Sequence, residues 1–129
     1  MNDNASRLFD ADRHSAALGA RLLDDDGWAI ELELSPQHLN FLGLGHGAVV
    51  FSLADFVLSL AANADQEPAF AVDANISFVR AAHIGDTLRT KATPERTTRS
   101  LSWYRVDVTN QEGDQIAVFN GTVYRPKSH

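Results

Sequence analysis

The chain has 129 residues, 44% of them hydrophobic and 22% charged, with a formal net charge of −6 and no cysteine. That is enough for one domain, residues 1–129, with one modest core. The acidic balance argues against a general nucleic-acid binder, which needs cations to neutralise phosphates; a local basic patch for a phosphate-bearing ligand stays compatible with it. Without cysteine there is no disulfide, thiolate metal site or thiol nucleophile, which fits a reducing, cytoplasmic setting.

Residues 1–7 lack the basic start and apolar run of a secretory signal. Residues 6–18 read as a helix through Leu8, Phe9, Ala16, Ala17 and Leu18, with Gly19 as its stop. Residues 20–23 read as a first strand. Asp24, Asp25, Asp26 and Gly27 then form a turn, since Asp-Gly before a strand is a hairpin signal. Three aspartates invite calcium, but the later ligand positions of a calcium loop are missing, so the turn reads as solvated. Residues 28–35 alternate: Trp28, Ile30, Leu32 and Leu34 face one way, and Ala29, Glu31, Glu33 and Ser35 the other. That is a half-buried strand, ended by Pro36.

Asn40-Phe41-Leu42-Gly43-Leu44-Gly45-His46-Gly47 holds three glycines in five positions and feeds a helix over residues 48–64. The first N–H groups of a helix lack intrahelical partners. With the positive end of the macrodipole they suit an oxyanion or a polarised carbonyl oxygen. From Ala48 to Ala62 only Ser52, Asp55 and Ser59 are not apolar, so the helix is expected to be buried nearly all round. Interrupted by Asp55, it reads as too short and too polar to span a membrane. Ser52, Asp55, Ser59 and Asn63 share an arc of roughly 80°. A buried carboxylate pairs, neutralises or faces a wet cleft, and on local grounds Asp55 reads equally as functional or as structural. His46 and Asp55 are nine residues apart, a helical rise of about 13 Å on nearly opposite sides. If both act on one atom, they come from different subunits.

Residues 65–68 form a polar turn. Residues 69–79 read as a strand with Phe70, Val72, Ala74, Ile76 and Phe78 on one face, and Asp73, Asn75 and Ser77 on the other. Three longer strands follow at 87–95, 100–110 and 115–125, separated by turns at 94–99 and 111–114, with a loose tail at 126–129. One apolar helix against one twisted antiparallel sheet is an α+β two-layer fold. A single sheet of this size leaves the helix partly uncovered, and dimerisation completes its burial.

At these residues the chain resembles a hotdog-fold acyl-CoA thioesterase of the phenylacetic acid degradation (PaaI-type) family. That family's loop reads Asn, two residues, Gly, two residues, His-Gly-Gly, with an Asp nine residues after the His. Here the positions are Asn40, Gly43, His46-Gly47-Ala48 and Asp55. The likeness continues through Ser52-Leu53-Ala54-Asp55, Asn75-Ile76-Ser77-Phe78-Val79-Arg80, Gly85-Asp86-Thr87-Leu88 and Val118-Phe119-Asn120-Gly121. Ala48 departs from the family's second glycine and could narrow the thioester slot. Ala81 departs from a proline in a loop.

The resemblance implies an antiparallel sheet wrapped around one central helix, and hydrolysis of an acyl-CoA thioester between two subunits. The Gly47 N–H would polarise the thioester carbonyl, and Asp55 of the other subunit would act as nucleophile or as general base. Asn40 and His46 would orient the thioester or the water. Asn75, Ser52, Ser59 and Arg80 are substrate-binding candidates. The resemblance implies no metal and no cofactor beyond the coenzyme A of the substrate, and a homodimer that pairs into a tetramer. It implies a phenylacetyl-type acyl group, while medium-chain fatty and other aryl groups stay open.

Plainer readings stand beside these. His46 can hydrogen-bond its own loop, and Asn40 can form an Asx turn. His38, His46 and His83 have no metal-ligand spacing. Arg80, Arg89, Lys91, Arg96 and Arg99 are solvated strand residues by default. Trp28, Trp103 and Phe51 suit a core or an interface. Two rival functions remain: an acyl-CoA hydratase or dehydratase using His46 with Asp55, and a non-catalytic acyl-CoA-binding module.

Overall fold

The computed structural model of the chain describes residues 3–23 and 27–126. The aspartate turn at 24–26 and the tail beyond 126 lie outside them. The N-terminal segment forms two helices, α1 (Asp3–Ala11) and α2 (Arg13–Leu18), not the one helix read from the sequence. The break falls at Asp12, which is extended and accepts the Ser15 N–H with its side chain at 2.9 Å. An N-cap of this kind starts a new helix.

Strands β1 (Arg21–Leu22) and β2 (Ala29–Glu33) form the expected hairpin. A 3-10 turn at Pro36–His38 leads through the glycine loop into α3 (Gly47–Asp65). Strands β3 (Phe70–Phe78), β4 (Thr87–Thr97), β5 (Leu101–Thr109) and β6 (Gln115–Tyr124) complete one antiparallel sheet in the order β1-β2-β4-β5-β6-β3.

Helix α3 lies across one face of this sheet. By length and composition alone it is long and apolar enough to cross a membrane, contrary to the sequence reading. Its packing assigns it to the core instead. Val50, Leu53, Ala54, Phe56, Val57, Leu58, Leu60, Ala61 and Ala62 are buried against Ile30 and Leu32 of β2, Leu88 of β4, Val106 and Val108 of β5, and Phe119 and Val123 of β6. Burial is not complete all round. Ala48, Ser52, Asp55, Ser59 and Asn63 keep some exposure, at the three- and four-residue spacing of one helix face. Arg125 ties the far end of α3 to the sheet. Its guanidinium donates to the carbonyls of Ala62 and Gln66 at 3.1 and 3.3 Å, and to Ser102 Oγ at 2.6 Å. Cations suit a helix C-terminus, where carbonyls lack partners.

Close approach of helix and sheet needs a glycine at 121. A Cβ there would lie 2.7 Å from Leu58 Cδ2 and 3.0 Å from Phe119 Cε1. Both neighbours are fully buried and have nowhere to move. Gly121→Ala is therefore expected to lower unfolding free energy by about 1–3 kcal/mol, read from urea denaturation. An unchanged midpoint would mean that the layers are looser than described.

Two strands differ from the sequence reading. Residues Ala71 and Asp73 pair with Val123 and Thr122, so β3 carries one extra residue at Val72. This bulge shifts the alternation. Phe70, paired with Tyr124, lies on the outer face, whereas Ala74, Ile76 and Phe78 share the helix-side face with Gly121, Phe119 and Ala117. Strand β4 runs through Pro94 to Thr97 rather than turning at residue 94. The Ala92 N–H points to Trp28 of the hairpin side. Two residues on, Pro94 faces the same side beyond the end of β2, where no partner for an N–H stands among the described residues.

Candidate active site

The loop before α3 is built by its own polar groups. Asn40 Oδ1 accepts the N–H groups of Leu42 and Leu44 at 2.9 and 3.1 Å, an Asx-type turn closed through Gly43 at φ 77°. Both acceptor directions of Oδ1 are thus used. Among the described residues nothing accepts from Asn40 Nδ2, which remains free to donate outward. The Gly45 N–H donates to Ala82 O at 2.7 Å. A Cβ on Gly45 would press Ala82 Cβ and Leu34 Cδ1 at 3.0 Å, so glycine lets the loop sit flush on the strand connection.

His46 is the N-cap of α3. Its Nδ1 accepts the Ala48 N–H at 2.9 Å. A ring that accepts at Nδ1 carries its proton on Nε2, and the exposed ring can present that N–H as a donor. The plain reading of His46 and the functional one are therefore compatible. The Gly47 N–H has no acceptor among the described residues. A Cβ on Gly47 would meet Phe78 Cζ at 3.2 Å, so glycine lets the Phe78 ring sit against the start of the helix. Asn40, Gly47, Phe78, Arg80, Ala82 and Ile116 line one cavity of about 260 Å³ here. Arg80 is an exposed side chain paired with Asp114 at 3.4 Å.

Asp55 belongs to a second cavity, of about 310 Å³, lined by Asp12, His14, Phe51, Ser52, Asp55 and Ser59. Among the described residues no hydrogen bond or ion pair reaches its carboxylate. Burial, and then the neighbouring charge of Asp12, push its pKa above the ordinary aspartate value. A half-buried carboxylate of raised proton affinity, in a cleft and without a partner, is a candidate base. Gly47 and Asp55 are about 12 Å apart along the helix axis, and they open into different cavities.

The structure thus sorts the candidates into two groups: Asn40, Gly47 and Arg80 in one cavity, with His46 capping the helix beside them, and Ser52, Asp55 and Ser59 in the other. Asn75 joins neither. It pairs with Asn120 on the outer face of the sheet, in a separate depression with Asp73 and Trp103. His38, considered as a ligand, is buried and fully used: Nδ1 accepts from the Ser35 N–H at 2.9 Å, and Nε2 donates to Leu18 O at 2.8 Å. No group of His, Cys, Asp or Glu among the described residues is placed to hold a metal ion. His14 and Asp12 were not singled out by sequence. Asp12, three residues before Ser15, carried a capping signal. His14 carried none, because only the docking of α2 on α3 brings it to the cavity.

Comparison with known proteins gives a consistent picture. The family description Thioesterase superfamily matches residues 42–117. The chain is 31% identical to the acyl-coenzyme A thioesterase PaaI of Escherichia coli K12, over 95% of this chain and 89% of that protein. The structure of the E. coli PaaI protein from the phenylacetic acid degradation operon superposes with a TM-score of 0.92 at 29% identity, covering 98% of this chain and 93% of that one. A variant of the phenylacetic acid degradation protein PaaI of Thermus thermophilus superposes with a TM-score of 0.84 at 31% identity, over 89% of this chain and 100% of the other.

Proposed function

Because this chain belongs to the thioesterase superfamily and folds as its hotdog hydrolases do, we propose that it hydrolyses aryl-acetyl thioesters of coenzyme A in a site shared by two subunits. The observation that carries the reading is the separation within one protomer: a free helix N–H and amide donor on one side, an unpartnered carboxylate on the other. Each half lacks what the other has.

In the proposed step, a thioester carbonyl oxygen lies against the Gly47 N–H, with Asn40 Nδ2 and His46 Nε2–H as further donors near the thioester. These donors gain value as charge builds on that oxygen. Asp55 of a second subunit takes one proton from water as the water oxygen bonds the carbonyl carbon. The C–S bond then breaks, and the thiolate of coenzyme A leaves with the proton returned by Asp55. Raised proton affinity makes Asp55 a stronger base than an ordinary aspartate. Ser52 and Ser59 flank it, and Arg80 stands at the mouth of the opposite cavity as a cation for the substrate's phosphates.

Two features support pairing of copies. Among the described residues strand β3 pairs with β6 alone and leaves an open edge, along which Val72, Phe78 and the following Val79 are exposed. The α3 face bearing Asp55 is only partly covered, by α2. We propose a homodimer of whole-chain domains that pairs into a tetramer in the cytoplasm. Names of relatives supply the aryl-acetyl class, and the cavity agrees with it. Its lining includes Leu44, Val50, Phe78 and Ile116, and a volume of about 150 Å³ is enough for a benzene ring.

The test is a panel of phenylacetyl-, benzoyl-, hexanoyl- and acetyl-CoA, scored by released thiol. Phenylacetyl-CoA is expected to give the highest kcat/KM. A higher value for hexanoyl-CoA would remove the aryl assignment. No thiol from any of them, with hydration of crotonyl-CoA instead, would favour the hydratase reading.

A further inference from the structure

His14 sits on α2, a helix fixed at both ends. Asp12 caps its start, and Gly19 closes it at φ 90° with its N–H shared between Ser15 O and Ala16 O. These caps aim the His14 ring at α3, where Nε2 lies 3.0 Å from Ser52 Oγ. Ser52 precedes Asp55 by three residues, so the two side chains leave α3 on one face. Both line the same cavity. A helical serine left alone turns its hydroxyl back to the carbonyl four residues earlier; His14 holds this one to the outside.

Resting on the hydrolytic reading above, we propose that His14 is a positioning residue, which through Ser52 Oγ fixes a hydroxyl beside the water that Asp55 deprotonates. In this arrangement the Ser52 hydroxyl donates a hydrogen bond to Nε2, and the lone pairs of its oxygen face the cavity. They accept a hydrogen bond from the second proton of the water while Asp55 removes the first. Held from two sides, the water points its own lone pair at the carbonyl carbon. No proton passes through His14, and it gains or loses none in the step.

The exposed His14 ring makes no contact that the core needs, so substitution leaves the fold intact. Phenylacetyl-CoA hydrolysis is measured for wild type, His14→Phe, His14→Gln, Ser52→Ala and the His14→Phe/Ser52→Ala double variant, with Asp55→Asn alongside. His14→Phe is expected to lower kcat about tenfold with KM within threefold. His14→Gln, whose amide reaches the place of Nε2, restores most of the loss. The double variant is no slower than Ser52→Ala, because the two residues act as one unit. Wild-type kcat in His14→Phe, additive losses in the double variant, or no rescue by Gln would each overturn the proposal. Loss of activity in Asp55→Asn with normal kcat in His14→Phe overturns the role of His14 alone. Full activity in Asp55→Asn removes the base on which the role of His14 depends and overturns the proposal, whereas no thiol release by wild type overturns the hydrolytic reading beneath it.

Discussion

Asp55→Asn will abolish turnover while the protein stays folded, binds acyl-CoA and withstands more heat. The amide keeps the shape of the carboxylate and removes the base, so kcat is expected to fall by about 10³-fold or more. The dissociation constant for phenylacetyl-CoA, measured calorimetrically on the variant, should stay within a few-fold. The stability change has the opposite sign for a physical reason. Burial, and then Asp12, raise the proton affinity of Asp55 in the folded chain. As pH rises, the unfolded chain loses this proton first. The stability tied to the protonated form is complete below the unfolded pKa and is lost as pH climbs through the folded one. At neutral pH the charged, unpaired Asp55 therefore costs stability, and Asn removes that cost. The Tm of Asp55→Asn should exceed wild type at pH 7, and the gap should close as pH falls into the ordinary aspartate range. The acid limb of kcat/KM in the wild type should lie above that range for the same reason. A variant within tenfold of wild-type kcat would remove Asp55 from the chemistry.

Mixing two inactive variants will restore activity. In Asp55→Ala the loop half of the site is intact, and in Asn40→Ala the carboxylate half is intact. A mixed dimer has one site in which both halves are native and one in which both are altered. Random exchange of equal amounts makes about half the dimers mixed, so recovery should approach a quarter of wild-type activity. Exchange is followed by native mass spectrometry, and thiol release is read against each variant alone. Hybrid dimers without recovery would place the whole site within single protomers. Asn40 has a second duty, since its Oδ1 holds Leu42 and Leu44. The Asn40→Ala loop is therefore expected to loosen, and Asn40→Asp, which keeps those acceptors but loses the Nδ2 donors, is the control.

Much of this was legible in the residues, because the strongest signals are local. The glycine loop announces the start of α3, and the apolar run announces its burial against the sheet. Strict alternation from Trp28 to Leu34 gives β2 and its faces. What was not legible depends on partners far along the chain. The Val72 bulge exists only in the pairing of β3 with β6, so simple alternation put Phe70 on the wrong face. Pro94 reads as a break until the short reach of β2 shows that its missing N–H is not needed. Asn75 was chosen by resemblance, and the structure sets it on the face of β3 opposite Phe78. His14 has no motif around it, and its meeting with Ser52 spans two helices that the sequence reads as separate features.

The sheet order also has a consequence for how the chain is made. Strand β3 leaves the ribosome well before β6, with which it pairs: Phe70 waits for Tyr124, and Phe78 for Ala117. Arg125, which clasps the end of α3, is translated later still. Until then the nascent chain carries an orphan ribbon and a greasy rod that lacks the β6 share of its cover. Such late, distant pairing slows folding and exposes sticky surface. The sheet therefore closes only once β6 has been made, and a chain cut short within β6 would leave an unzipped product for proteases and chaperones to clear.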